Sequence, residues 1–200
     1  MPGTRVSVKS VPMVHTPIEV MEVIQRMPEL EDQALCSVLY LTAARINEIV
    51  RDFKGTQIQE RQQERDGRVY DFIDFVNVLT LKKRKNRPLD YYRRTIPVIV
   101  DKYTEPFFDI LNAYIETSMA DKPDEAILFR KTSRAYQWHI EKYCKPYFAH
   151  WFRAARNTHL ISIYNFNTYR LLKWNNWSNS RHADVYVNLS GQDLIDKQIS

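Results

Sequence analysis

Residues 70–100 read YDFIDFVNVLTLKKRKNRPLDYYRRTIPVIV. Both ends of this stretch are rich in aromatic and β-branched residues and alternate in part between apolar and polar. That pattern suits strands with one face buried. Between them stand Lys82, Lys83, Arg84, Lys85 and Arg87, with Asn86 and Pro88 among them, a composition that turns rather than packs. The stretch is read as an antiparallel hairpin: strand 70–81, a basic turn, strand 93–100. Asp71 and Asp74 are placed on the solvent face of the first strand.

The flanks of the hairpin follow a helical period. TPIE, residues 16–19, offers Thr16 as N-cap, Pro17 at the first helical position and Glu19 three after the cap, so a helix is expected from there to about Met27. EDQALCSVLYLTAARINEIVRDF, residues 31–53, carries Leu35, Val38, Leu39, Ile46 and Ile49 at helical spacing and predicts one central buried helix. Residues 52–70 are polar and punctuated by Gly55 and Gly67, which predicts a loop or short excursion. Beyond the hairpin, helices are expected at about 104–119, 133–145, 147–162 and 166–173, with a short apolar AILF from 126. Helices, a hairpin, then helices again make the class mainly α with a small antiparallel β-sheet, an α+β arrangement. Residues 1–15 read as a tail or linker and 16–200 as one domain.

Composition narrows the partners. At 200 residues the chain can bury one sizeable core, and its 44% apolar share is that of a globular domain. Lys and Arg number 29 against 24 Asp and Glu, for a net charge of +5, which favours nucleic acid as a partner. No apolar run reaches the roughly 18–20 residues of a membrane span, and the opening lacks the apolar core of a secretory signal. Cys36 and Cys144 are too few and too far apart for a disulfide scaffold or a CxxC site. A cytoplasmic or nucleoid-associated location is expected.

Four short stretches can carry chemistry. In AARINEIV, Arg45 and Glu48 are i and i+3, so on a helix they share a face and the carboxylate can orient the guanidinium. In HWFRAARNTHL, His150 and Arg153 have the same spacing and pair a proton-transfer group with a rigid phosphate-binding fork. His150 and His159 stand nine apart, half a turn out of phase, so they do not form a metal pair. The basic turn, with Arg93 and Arg94 at its end, can lie along a phosphodiester backbone while one lysine reaches inward. Last, WNNWSNSRHADVYVNL places Trp177 nine residues before Tyr186. Singly, each has an ordinary structural reading: a surface ion pair, a solvated helix end, a soluble turn, an aromatic in the core.

Their order is more informative. An Arg-x-x-Glu, a lysine hairpin, a His-x-x-Arg and then Trp and Tyr resemble the catalytic domain of the tyrosine recombinases, the phage-integrase family. YLTAARINEIV resembles its first arginine box, TLKKRKNRPLDYYRRTIPV its lysine hairpin and HWFRAARNTHLI its HxxR box. WSNSRHADVYVNLS is similar to its closing segment, in a form common among archaeal members. The resemblance spans residues 16–198. There are departures. Ala154 follows Arg153 where His or Lys is usual, Trp177 takes a position more often held by His, and the 52–70 stretch is longer than usual. The N-terminal helical domain that usually completes a clamp on DNA is not expected in this chain.

The resemblance implies a metal-free and cofactor-free cleavage of double-stranded DNA. It casts Tyr186 as the nucleophile, Arg45 and Arg153 as the holders of the phosphate, and Glu48 as the orienter of the arginine or the histidine. Lys82 becomes the general acid, with Lys83 or Lys85 as alternatives; His150 becomes the acid/base, and Trp177 packs the site. Lys83, Arg84, Lys85, Arg87 and Arg93 would bind DNA. A homotetramer on DNA, monomeric or dimeric without it, is implied. Rival readings are a type IB topoisomerase-like enzyme, a DNA-binding module without catalysis, and a metal nuclease built on Asp71 and Asp74.

Overall fold

A computed structural model describes residues 16–80, 92–123, 125–184 and 186. Three helices lead: α1 (Pro17–Gln25), α2 (Leu30–Thr42) and the single-turn α3 (Ile46–Ile49). A three-stranded sheet comes next, β1 (Ile58–Arg65), β2 (Arg68–Leu79) and β3 (Arg93–Ile99), and then α4 (Glu105–Ser118), α5 (Ser133–Tyr143), α6 (Ala149–Ser162) and α7 (Thr168–Asn175). Residues 181–184 and 186 are helical. The class is the expected one, mainly helical with a small antiparallel sheet.

Local chemistry explains the first helix. The Thr16 hydroxyl accepts from the Glu19 amide at 3.3 Å while the Glu19 carboxylate accepts from the Thr16 amide at 3.1 Å, a reciprocal cap. Helix α2 is the hub of the core and is buried on nearly every side, against α4 and α6. Tyr40 of α2 stacks on Phe107 of α4 with ring centroids 4.3 Å apart.

Residues 31–53 do not form the one helix expected of them. Helix α2 stops at Thr42, whose hydroxyl turns back to donate to the Val38 carbonyl at 2.6 Å and accepts from the Ala44 amide at 3.1 Å. Ala43 takes the left-handed conformation (φ 51°), which costs a non-glycine residue about 1–2 kcal/mol. Alanine pairs favour helix, so propensity gave no warning of the break. Tertiary partners account for it. The carbonyls of Thr42 and Ala43, released from helical bonding, accept from Trp174 Nε1 at 3.1 Å and Arg153 Nη1 at 2.5 Å.

The 52–70 stretch is corrected as well, since most of it is sheet. Strand β1 pairs antiparallel with β2, from Ile58 opposite Phe75 to Arg65 opposite Arg68. Asp66 and Gly67 (φ 53° and 72°) close this hairpin in two residues. Both central residues at positive φ is the twist-matched geometry that Asp-Gly favours. No atom lies within 4 Å of where a Gly67 Cβ would sit, so conformation and not crowding selects glycine there. Strand β3 pairs with the other end of β2, where a bulge between Phe75 and Val78, with Asn77 at φ 56°, resets the alternation. The bulge turns Val78 inward after Ile73 and Phe75, opposite Arg94.

A second, smaller apolar cluster closes the C-terminal end. Ala154 and Leu160 of α6, Leu171 of α7, Ala183 and Tyr186 form it.

Candidate active site

The break after α2 sets the geometry of the first two site residues. Arg45 is in extended conformation (φ −82°, ψ 148°) as the N-cap of α3, and Glu48 is the third residue of that turn. They do not lie side by side on a continuous helix. Instead the Glu48 carboxylate reaches back, accepting from the Arg45 amide at 3.0 Å with one oxygen and from Arg45 Nη1 at 2.8 Å with the other. Arg45 keeps 37% of its side chain exposed, so it can face a ligand while held from behind.

Glu48 gathers two further arginines. Arg94 Nη2 approaches it at 3.4 Å and Arg153 Nη1 at 3.9 Å. Burial pushes the Glu48 carboxyl up, but Arg94, the Arg45 amide, Arg153 and the Arg45 side chain more than offset this and hold it below the usual carboxylate range. Three guanidiniums around one carboxylate leave two positive charges uncompensated among the described residues. Burial, with neighbouring cations adding to it, depresses Arg94 to about 10 and Arg153 to about 9. Nitrogens Nε and Nη1 of Arg94 and Nη2 of Arg153 are buried and, among the described residues, meet no hydrogen-bond partner. Such donors are costly to leave unpaired and suit an anion with several oxygens.

Arg94 was not singled out as a site residue from the sequence, although the signal was there. In RRTIPVIV, Ile96 and Val98 are inward-facing, and a period of two puts Arg94 on their face. Arg93 lies on the opposite, exposed face.

His150 occupies the second position of α6, on the solvent side, with Arg153 one turn further on. Although solvent reaches its ring, the surrounding protein and the cations Arg153 and Arg45 lower it to about 4, against a weaker pull upward from Glu48. It is neutral at neutral pH and able to accept a proton. An anion in the pocket favours the imidazolium, so the pKa must rise when one binds. The His150 ring resonances in NMR are expected to titrate near pH 4 in the free chain and at clearly higher pH with sulfate or vanadate present. A midpoint near 6.5 that ignores both anions would contradict this arrangement.

The aromatic side of the pocket is built by α7 and the residues after it. Asn176 caps α7 in the left-handed conformation (φ 51°), and the Trp177 amide then donates to the Leu172 carbonyl at 2.9 Å. This turn presents the indole to Arg153, whose Cζ lies 5.2 Å from the ring centroid. The Tyr186 ring stacks on the same indole, centroids 5.8 Å apart and planes 10° from parallel. Tyr186 is 7% exposed, its ring held in the small apolar cluster beside Ala154. A larger side chain at 154 would compete for that space.

Arg45, Glu48, Arg153, Trp177 and Tyr186 are thus linked by successive contacts. Lys82, Lys83, Arg84, Lys85 and Arg87 lie outside the described residues. Asp71 and Asp74 do not share the solvent face expected of them: strand alternation turns them to opposite faces of β2, where Asp71 accepts from Gln62 and Asp74 pairs with Arg61 at 2.9 Å, so the two cannot chelate one ion. Among the described residues one group has metal-like spacing, Glu29, Asp32 and His139. There the Lys131 ammonium already supplies a cation, 2.6 Å from Glu29 and 2.9 Å from Asp32.

No family model matches the chain, and no curated protein matches it. Solved structures do. An XerA recombinase superposes with a TM-score of 0.57 at 16% identity, over 93% of this chain and 61% of its own. A post-cleavage complex of the site-specific recombinase XerH bound to palindromic difH substrate gives 0.55 at 14% identity, over 98% of this chain and 55% of its own. The Tn1549 transposon integrase in complex with transposon right end DNA gives 0.50 at 14%, over 100% and 69%. The chain therefore spans little more than half the length of the two recombinases, and no helix among its described residues is long and apolar enough to cross a membrane. Its fold is that of the tyrosine recombinase catalytic domain.

Proposed function

We propose that this chain is the catalytic domain of a site-specific DNA recombinase or integrase, which breaks and rejoins DNA through a 3′-phosphotyrosyl link. The observation that supports this most directly is the pocket of three arginines around Glu48, with unpaired buried donors and Tyr186 one aromatic ring away. Guanidiniums supply the positive charge that phosphoryl transfer requires, so this scheme needs no metal.

In the proposed reaction Arg45 and Arg153 hold the non-bridging oxygens of the scissile phosphate, and Glu48 fixes their orientation. Arg94 adds charge from the sheet side. The Tyr186 oxygen attacks phosphorus as its proton passes to His150, which is neutral and so able to take it. The bond from phosphorus to the 5′-oxygen breaks, and the leaving oxygen takes a proton from Lys82, or from Lys83 or Lys85. The resulting ester conserves the bond for religation when the 5′-hydroxyl returns. Trp177 packs the pocket and positions both Arg153 and Tyr186.

The test is covalent trapping on nicked duplexes carrying candidate sites, with chelator present. A protein–DNA band that survives denaturation supports the reading; no band on any nicked duplex, from a folded chain that binds DNA, would leave a binding module only. The hairpin assignment has its own test. Lys82→Ala is expected to bind duplex normally and cleave slowly, and a 5′-phosphorothiolate leaving group, which needs no proton, should restore the rate. Failure of that rescue moves the acid to another residue.

A further inference from the structure

The β1–β2 hairpin outreaches the sheet that carries it. Strand β3 pairs only with the 72–79 part of β2, so the ribbon from Gln62 to Tyr70 stands without a third strand. Its two faces carry opposite charge. The face turned toward the core and α4 holds Glu60, Glu64 and Asp71, with no basic residue beyond Ile58 and before Phe75. The outer face holds Arg61, Arg65, Arg68 and, on β3, Arg93, with Asp74 the one carboxylate, already bound by Arg61. No described residue covers this outer face: Arg65 is 78% exposed, and Arg68, Arg93, Thr95 and Pro97 are all exposed.

Two details separate this from a merely solvated strand. Arg65 and Arg68 are direct cross-strand partners at the ribbon's end, a like-charge pairing that weakens an isolated hairpin. The exposed Asp66 in the turn, 3.6 Å from Arg65, relieves it little. Arg61 is also held in place, with its guanidinium 4.8 Å above the Phe72 ring and bonded to Asp74 and to Gln63. A polyanion laid on the outer face satisfies the arginine pair, and the acidic inner face forbids the reverse orientation.

We infer that the outer face of this ribbon is a second DNA-contacting surface, gripping duplex phosphates away from the bond that is cut. This rests on the proposed function for the choice of partner. From Val78, which pairs with the pocket residue Arg94, to Arg68 is about 33 Å of strand, close to one turn of duplex. The ribbon end thus reaches phosphates about one turn from the cleavage site.

The experiment compares the full chain with Arg65→Ala/Arg68→Ala and Arg65→Lys/Arg68→Lys. Salt-dependent affinity is measured on a duplex that ends at the site and on one extended by a helical turn. On the longer duplex the alanine variant should lose about 1.8 from the log–log salt slope, about 0.9 per phosphate contact, and the lysine variant should keep it. On the short duplex all three should agree. Equal slopes on the longer duplex overturn the inference. So does an unchanged slope accompanied by a smaller DNA-bound assembly, which would assign the ribbon to a neighbouring subunit. Trapping on nicked DNA is run alongside, because a chain that loses slope on ribbon mutation yet never forms an adduct refutes the catalytic reading and leaves this one standing.

Discussion

Tyr186→Phe is expected to bind duplex DNA as the unaltered chain does and to form no covalent adduct with nicked DNA. Trapping should fall by on the order of 10³-fold or more, since nothing replaces a lost nucleophile. The other tyrosines near the core are poor substitutes. Tyr40 is buried against His159 at 2.8 Å and pushed up to about 12 by that burial. Tyr164 is likewise held well above the usual phenol range by burial, with its hydroxyl on the Asp101 carboxylate. Tyr136 is raised by burial and by its hydrogen bond to Glu31. Tyr186 alone among these stacks on the indole that also carries Arg153. Peptide mapping should place the adduct on Tyr186, and equal trapping by the Phe variant would remove it from the mechanism.

Arg153→Lys should be nearly as damaging. A fork donor facing developing charge in a partly dry pocket is worth about 10²–10³ in rate, and a lysine keeps the charge while losing the fork. Here the guanidinium has three tasks, donating to the Ala43 carbonyl, closing on Glu48 and lying over Trp177. One ammonium cannot perform all three. Trp177→Phe keeps an aromatic surface for Tyr186 and should lose less than about tenfold, because packing survives. Denaturant unfolding of both variants separates lost catalysis from lost structure. Cleavage by a folded Arg153→Lys within tenfold of the unaltered chain would count against the whole pocket.

Much of this was legible in the residues, and the exceptions share a cause. Helix α1 announced itself through a cap that needs only four consecutive residues, and α4 to α7 through apolar periodicity, each within a few residues of where it stands. The order of Arg45, His150, Arg153, Trp177 and Tyr186 along the chain singled these residues out as candidates before any geometry. What failed depended on distant partners. The Ala43 turn looks helical locally and breaks because Arg153 and Trp174, more than a hundred residues on, take its carbonyls. Strand β1 has one apolar residue in IQERQQER, so no alternation betrays it; Asp66-Gly67 was the turn signal to weigh. Arg94 was overlooked in a run of basic residues where charge masked the alternation.

The unbalanced arginine pocket has a consequence beyond rate. Cations held together out of water destabilise the empty fold, and any anion that fills the pocket relieves them. Mass action then makes the folding equilibrium depend on the occupant, by about 2.7 kcal/mol for a ligand present at 100 times its Kd. That is a sizeable part of the roughly 5–15 kcal/mol that holds a typical domain folded. If the proposed function holds, the occupant is a DNA phosphate, and the chain would persist longest where it is bound to DNA.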